Sequence, residues 1–207
     1  MHRIAGPPSI EPMPEALFAA MERAWSEAAP RFEAYQLVLP GRPSFICQPL
    51  VCTAYCCHAY SVSLGEAEVA RFSRFQELEP VEFLELDVDG TPVTLPMAQP
   101  YLLARSENHC KMLSPELGCS AYEGRPNACR LYPHFVVFWD HQKQSARTVP
   151  SRAVGAAFEA AARGNVPRLV PLLLGHTECP GFTGAPLQPT EWAELFARTY
   201  QLQYAAV

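Results

Sequence analysis

The sequence predicts an α+β fold, with helices near both ends of the chain and short strands and long loops between them. Of its 207 residues, 49% are hydrophobic and 18% are charged, a balance that excludes disorder and coiled coil as good descriptions. Helical periodicity marks the terminal parts, whereas the middle alternates short apolar segments with turn residues. The loops in this middle part are longer than the usual roughly four to six residues, and a metal centre would account for their length.

The N-terminal part carries the clearest helix signal. Residues 1–13 contain three prolines and no periodicity, so we expect an arm there. A helix is expected from Pro14 to Ala29, because proline suits the first turn and an apolar stripe repeats at helical spacing. Residues 14–207 are then expected to form a single domain.

Local signals predict the remaining elements. Ser63 and Glu66 have the spacing of a capping box and predict a helix to about Phe75, and Asp89-Gly90 favours a hairpin turn. Residues 114–134 are expected to be mostly loop. The other expected elements are strands at 32–39, 58–64, 83–88, 92–95, 101–105, 110–113, 135–139 and 145–149, then helices at 151–163 and about 190–204.

Charge and hydropathy exclude several classes of protein. Sixteen Lys and Arg residues against 21 Asp and Glu residues give a net charge of −5, so nucleic acid is not indicated as a partner. No apolar run approaches the roughly 20 residues of a membrane helix, and the N-terminus lacks the apolar segment of a secretory signal. We therefore expect a cytoplasmic protein whose thiols are reduced.

The eight cysteines are the unusual feature of the composition. Seven of them lie in two short segments, Cys47–Cys57 and Cys110–Cys129, whereas buried structural cysteines would be scattered along the chain. Neighbouring thiolates repel one another, so a reduced cluster is costly unless a cation neutralises it. Zinc and iron–sulfur clusters both take four such ligands, and the spacing leaves both open.

The order of these residues resembles the YkgJ-type CxxCxxCC cysteine-cluster family, a family of zinc- or iron-chelating domains with eight cysteines. The block from Cys119 to Pro133 matches the family pattern without a gap, through Tyr122, Arg125-Pro126 and Cys129-Arg130. The first block has wider spacing than the pattern. The resemblance covers residues 45–182, and a more distant similarity to the cysteine domain of flagellin lysine N-methylase implies an iron–sulfur centre.

We therefore expect a metal-binding protein with one or two iron–sulfur clusters of the 4Fe-4S type. The alternatives are a zinc-chelating structural or interaction module, and an iron–sulfur-dependent enzyme resembling a methyltransferase or an oxidoreductase, with a small-molecule or protein substrate. No glycine-rich nucleotide loop supports the last alternative. The expected metal ligands are Cys47, Cys52, Cys56, Cys57, Cys110, Cys119, Cys129 and Cys179.

Three residues near these cysteines are candidates for contacts with a cofactor. Arg125 and Arg130 would offset thiolate charge or bind an anionic substrate, and Tyr122 would shield the centre from water. His58 and His109 are expected to support the ligands rather than to bind metal. In an extended segment, Cys56 and Cys57 would point to opposite faces, so we expect different surroundings for their sulfurs.

Overall fold

The computed structural model describes residues 15–147, 155–157, 160, 163, 165 and 167–204. The expected arm at residues 1–13 lies outside them, as does most of the expected helix at 151–163, of which 155–157 and 160 are helical. The α+β prediction is confirmed, because helices accompany antiparallel sheets. No helix in the described part of the chain has the length and apolar character needed to cross a membrane.

The bounds of the elements are as follows. The helices are α1 (Glu15–Ala28), α2 (Tyr55–Ala59), α3 (Glu66–Gln76), α4 (Pro80–Phe83), α5 (Asn127–Leu131) and α6 (Pro189–Tyr204), with a 3-10 turn at Ala29–Arg31. The strands are β1 (Tyr35–Leu37), β2 (Ser63–Leu64), β3 (Tyr101–Leu102), β4 (Arg105–Ser106), β5 (His109–Cys110), β6 (His134–Asp140), β7 (Ser145–Arg147) and β8 (Leu169–His176).

The chain folds into two compact units. The sheet unit comprises Met1–Ile46, Pro133–Glu178 and Phe182–Gln201, and the cysteine unit comprises Cys47–Tyr132, Cys179–Gly181 and Leu202–Val207. The chain thus contributes the three residues Cys179–Gly181 to the cysteine unit, two residues after the end of β8. All eight cysteines consequently belong to the cysteine unit.

The sheet unit is built on an antiparallel sheet with strand order β1-β8-β6-β7. β8 was not expected from the sequence, because its apolar run contains Pro171 and Gly175 and does not alternate. β1 pairs only with residues 174–176 of β8. Among the described residues, Pro171 therefore has a strand neighbour only on the β6 side, where it lies opposite Phe138, and a missing N–H is tolerated at such a local edge.

Helix α1 and most of α6, up to Gln201, belong to this unit, and each has one apolar face. Leu17 and Met21 of α1 are fully buried, as is Trp192 of α6. The rings of Phe18 and Trp192 meet edge to face at 5.3 Å, and the indole N–H of Trp192 donates to the Val38 carbonyl at 2.7 Å. The expected helices at 14–29 and 190–204 are confirmed within the described residues.

The cysteine unit is made of short helices and two-stranded ladders around α3. Its apolar core contains Leu64, Phe72, Phe83, Leu84 and Leu103. Short elements of this kind pack only a small core of their own, so side chain to backbone hydrogen bonds fix much of their geometry.

Several local predictions in this unit were wrong. The expected strands at 83–88 and 92–95 are replaced by the end of α4 and by isolated bridges at Leu84 and at Leu86–Pro92. Two further cases lie around α2 and α3. The segment 58–64 begins as the end of α2 rather than as a strand, and only Ser63–Leu64 is extended. The N-cap of α3 is Gly65, whose N–H donates to the Glu68 carboxylate at 3.3 Å. Ser63 does not cap the helix, and its hydroxyl donates to the Gln99 side chain at 2.9 Å. Gly65 lies three residues before Glu68, just as Ser63 lies three residues before Glu66. The capping box is therefore present but lies two residues later than expected.

Candidate metal centre

Helix α2 carries the vicinal pair Cys56–Cys57. The extended backbone expected for this pair is wrong, because residues 55–59 form a helix that follows left-handed residues Thr53 and Ala54. Adjacent helical side chains are about 100° apart rather than opposed. The two side chains remain close enough for Cys57 to donate a hydrogen bond to the Cys56 sulfur.

Arg105 holds the C-terminal end of α2. Its guanidinium donates to the carbonyls of Tyr60 at 2.6 Å, His58 at 2.7 Å and Asn108 at 2.6 Å. The C-terminal carbonyls of a helix lack intrahelical partners, and the planar guanidinium binds several of them at once. Arg105 thereby joins the helix of Cys56 and Cys57 to the β4–β5 hairpin that ends at Cys110.

Cys110 and Cys119 are brought together by backbone pairing. Cys110 is the last residue of β5 and is only 8% exposed, and Leu113 forms a bridge with Cys119. The Ser120 N–H also donates to the Met112 carbonyl at 2.9 Å. Cys110 belongs to the apolar core, and the side chains of Cys57 and Cys119 pack against that core.

Cys129 lies on the five-residue helix α5, whose start is fixed by a buried carboxylate. Glu68 of α3 is 5% exposed and accepts a hydrogen bond from the Asn127 N–H at 2.7 Å. Arg71 donates to the Asn127 side chain at 3.1 Å and lies 3.6 Å from Glu68. An acidic group is stabilising at the start of a helix, so Glu68 sets the position from which Cys129 projects.

None of the remaining three cysteines is fully buried. Cys47 is exposed, and Cys52 and Cys179 are half-buried. The Tyr132 side chain lies near the Cys179 thiol and acts to lower its pKa, and the rings of Tyr60 and Tyr132 lie 5.5 Å apart. Tyrosine rings thus cover part of the region around Cys179.

The thiols alter one another's acidity. The hydrogen bond from Cys57 lowers the pKa of Cys56 to about 7, and the same bond raises the pKa of Cys57. The pair therefore loses its first proton from Cys56 and keeps the second on Cys57. Burial, with smaller contributions from Cys110 and Cys119, raises the pKa of Cys129 to about 12.

The other thiols also raise one another's pKa values. Although the Cys47 residue is exposed as a whole, partial desolvation of its thiol raises the pKa, and the charges of Cys56, Cys52 and Cys179 add to this effect. Burial likewise raises the pKa of Cys179, with contributions from Cys52 and Cys56. Among cysteines, Cys57 responds most to its neighbour Cys56 and then to Cys110 and Cys119.

Arg125 is a cation that acts on several thiols of this cluster, as Arg105 does on Cys110. Its guanidinium lowers the pKa of four thiols, those of Cys47, Cys56, Cys119 and Cys129. It donates to the Tyr122 carbonyl at 2.8 Å and lies 3.5 Å from the centre of the Tyr122 ring. Tyr122 is 51% exposed and holds Arg125 by a cation–π contact, whereas Arg130 lies exposed on α5.

The histidines fall into two groups. His58 and His109 lie in the cysteine unit with ring centres 5.7 Å apart, and the His109 ring is hydrogen-bonded to the Cys110 carbonyl at 2.9 Å. Such a bond is typical of a residue that orients a ligand segment. His134 and His176 belong to the sheet unit at the ends of β6 and β8.

Sequence reasoning missed the residues that position the ligands. Glu68, Arg71 and Arg105 each act on a segment more than 40 residues away, so no local spacing identifies them. Gly124 is a further case, because a Cβ there would come within 2.7 Å of the Phe75 ring. The glycine allows the block that leads to Cys129 to pack closely against α3.

The donor set fits a thiophilic metal or cluster, although no coordination shell is preformed. Eight reduced thiols share one small unit and interact electrostatically, and thiolates are the preferred ligands of zinc and of iron–sulfur clusters. Among the described residues, no three His, Cys, Asp or Glu side chains are already arranged to hold a metal ion.

Comparison with known proteins identifies one family. The family model described as "CxxCxxCC: Putative zinc- or iron-chelating domain" matches residues 46–151, which is half of the chain. The match includes the first seven cysteines, whereas Cys179 lies beyond it. Neither the curated proteins nor the solved structures contain a match.

Proposed function

We propose a function on the premise that the chain belongs to the CxxCxxCC family of zinc- or iron-chelating domains: its eight cysteines bind iron as iron–sulfur clusters. The observation that carries this proposal is that all eight thiols lie in one unit and interact electrostatically. A bound iron–sulfur cluster supplies one-electron transfer.

The charge on the ligands supports the binding of a metal. Cys56 is partly ionised near neutral pH, because its pKa is lowered to about 7. The pKa of Cys57, Cys110, Cys119 and Cys129 is raised instead, mainly by burial or by the neighbouring Cys56. Burial without a metal thus opposes ionisation, and a bound cation reverses this cost.

The kind of ligand and its setting favour iron–sulfur over zinc. The ligands come from irregular segments and short helices, and proline follows the last of them in Cys179-Pro180. Both features are common in iron–sulfur proteins. Zinc remains the alternative, because four thiolates also form a structural zinc site.

Metal analysis tests the proposal. The protein is purified without oxygen, and iron, zinc and acid-labile sulfide are measured per chain alongside the visible absorption spectrum. We expect iron and sulfide in similar amounts and a brown protein. Zinc without sulfide would replace the iron–sulfur proposal with the zinc module, and a folded chain without either metal would overturn both.

A matched control separates ligand loss from general damage. Ser61 is exposed and precedes the β2 strand of the same unit, so Ser61→Ala should keep the metal content of the wild type. Cys119→Ser should lower it, because a lost ligand removes metal-coupled folding free energy. Equal metal content in the two variants would exclude Cys119 as a ligand.

A further inference from the structure

A groove of about 560 Å³ lies beside α3 within the cysteine unit. Its floor is apolar, because Val69 and Leu84 line it and both belong to the buried core of the unit. Its walls are α3, the start of α4 and Pro92. This volume is within the range of roughly 300 to 1,000 Å³ that is typical of ligand sites, so the groove has room for a ligand.

The groove uses a side of α3 that does not position the cysteines. The lining residues of this helix are three or four positions apart and therefore share one side of it; they are Glu66, Val69, Ala70, Ser73 and Arg74. Glu68 and Arg71 lie on the opposite side, where both bind Asn127 at the start of α5. Substitutions in the groove consequently leave the contacts that lead to Cys129 in place.

Carboxylates surround the groove. Residues 75–104 contain six acidic residues and no Lys, Arg or His; the six are Glu77, Glu79, Glu82, Glu85, Asp87 and Asp89. Glu79 of this segment and Glu66 of α3 line the groove itself, together with the cation Arg74. Among the described residues, neither Glu66 nor Arg74 has an ion-pair partner. Negative charge therefore predominates in and around the groove.

Apolar side chains are exposed at the edge of the groove. Val81 directly follows the lining residue Pro80, and Leu86 forms a bridge with the lining residue Pro92. Both side chains are exposed, and exposed apolar surface beside a groove is typical of protein contacts. The apolar surface thus extends beyond the groove, which favours a chain-like ligand over a compact small molecule.

We infer that this groove binds a basic segment of a protein partner, whose arginine or lysine side chains pair with Glu66 and Glu79 and whose apolar side chains pack on Val69 and Leu84. Complementary charge selects such a segment and fixes its orientation. The inference goes beyond the proposed function, and it does not depend on which metal the cysteines bind.

A labelled peptide tests the inference directly. A fluorescein-labelled peptide of arginine and leucine is titrated with the wild-type protein as isolated, and binding is followed by fluorescence anisotropy. This peptide should bind more tightly than peptides of equal length made of glutamate and leucine or of arginine and serine. Absence of binding, or equal binding of the arginine–serine peptide, would overturn the inference.

Charge variants locate the binding of the peptide. Glu66→Gln with Glu79→Gln should weaken it roughly threefold or more, because two exposed ion pairs are lost. Glu22→Gln with Glu33→Gln is the matched control, because both residues are exposed in the sheet unit and the net charge changes equally. Arg74→Gln should strengthen binding, since it removes a repelling cation. Equal weakening in the two double variants, or weaker binding in Arg74→Gln, would overturn the inference.

A steric variant tests the groove independently of charge. Ala70→Phe places a ring in the groove and should lose binding, whereas Ala67→Phe places the same ring on an exposed position of α3 outside the groove and should keep it. Both alanines are exposed, so both variants should fold, and their circular dichroism measures this. Equal binding by the two folded variants would show that the peptide binds elsewhere and would overturn the inference.

Discussion

At the scale of single residues, Arg125 explains how a cluster of thiols is tolerated in a chain with a net charge of −5. The guanidinium acts on four thiols, and the Tyr122 ring and carbonyl fix its place. A fixed cation beside several sulfurs favours the charged form of each. Arg125 therefore adjusts the charge of the centre without being a ligand.

Replacing Arg125 should make Cys56 less reactive in the reduced, metal-free protein. Arg125→Gln removes a cation that lowers the Cys56 pKa, so less thiolate is present at pH 7. We expect alkylation of Cys56 by iodoacetamide to slow by roughly twofold or more, measured by mass spectrometry of the peptide. Arg130→Gln, which removes an exposed arginine from α5, is the control; equal slowing in both variants would contradict a specific role for Arg125.

At the scale of elements, short helices carry the ligands and hydrogen bonds from distant segments hold those helices. Helices of five residues are unstable by themselves, and both α2 and α5 have this length. Arg105 binds the end of α2, and Glu68 binds the start of α5. The geometry of the cysteines consequently depends on contacts that span 45 and 59 residues of sequence.

Arg105→Lys should weaken the hydrogen bonds that hold the C-terminal end of α2, while keeping the positive charge at position 105. A lysine ammonium cannot reproduce the planar set of donors that reaches the carbonyls of His58, Tyr60 and Asn108. We expect faster amide hydrogen exchange in residues 55–60 and weaker metal retention. Lys111→Met is the matched control, because Lys111 donates to the Glu82 carbonyl instead; unchanged exchange at 55–60 in Arg105→Lys would exclude the clamp.

At the scale of the whole molecule, local signals predicted the elements that stabilise themselves. The apolar stripe of α1, the periodic face of α6 and the apolar β6 strand are each visible within one segment. β8 was missed because its buried residues do not alternate and include Pro171. Its position between β1 and β6 is a property of the sheet rather than of the segment.

The candidate site was likewise predicted only in part from the sequence. Spacing identified the eight thiols as a group, because their clustering departs from that of scattered core cysteines. How the fold brings them together was beyond the sequence, because Cys179 lies in the same unit as Cys52, which is more than 120 residues earlier in the chain. The helical turn at Cys56–Cys57 was also missed, since it depends on Arg105 as well as on the residues of α2.

The sheet unit should become less stable as the pH falls, because of the buried His134. This effect does not involve the thiols. His134 is 7% exposed, lies between the rings of Phe45 and Phe182, and has a buried Nε2 atom without a hydrogen-bond partner among the described residues. Burial, aided by the positive charge of Arg198, lowers its pKa from 6.5 to about 4. The unfolded chain therefore binds a proton at higher pH than the folded one.

This difference sets both the sign and the pH window of the effect. The contribution of His134 is fully present above pH 6.5 and is lost as the pH falls towards 4, at a cost of up to about 3 kcal/mol. His134→Phe keeps an aromatic ring at this position and removes the titrating group, so its free energy of unfolding should depend less on pH between 6.5 and 4. Urea unfolding across that range measures the slope, and equal slopes in the variant and the wild type would show that His134 does not control the acid sensitivity of the unit.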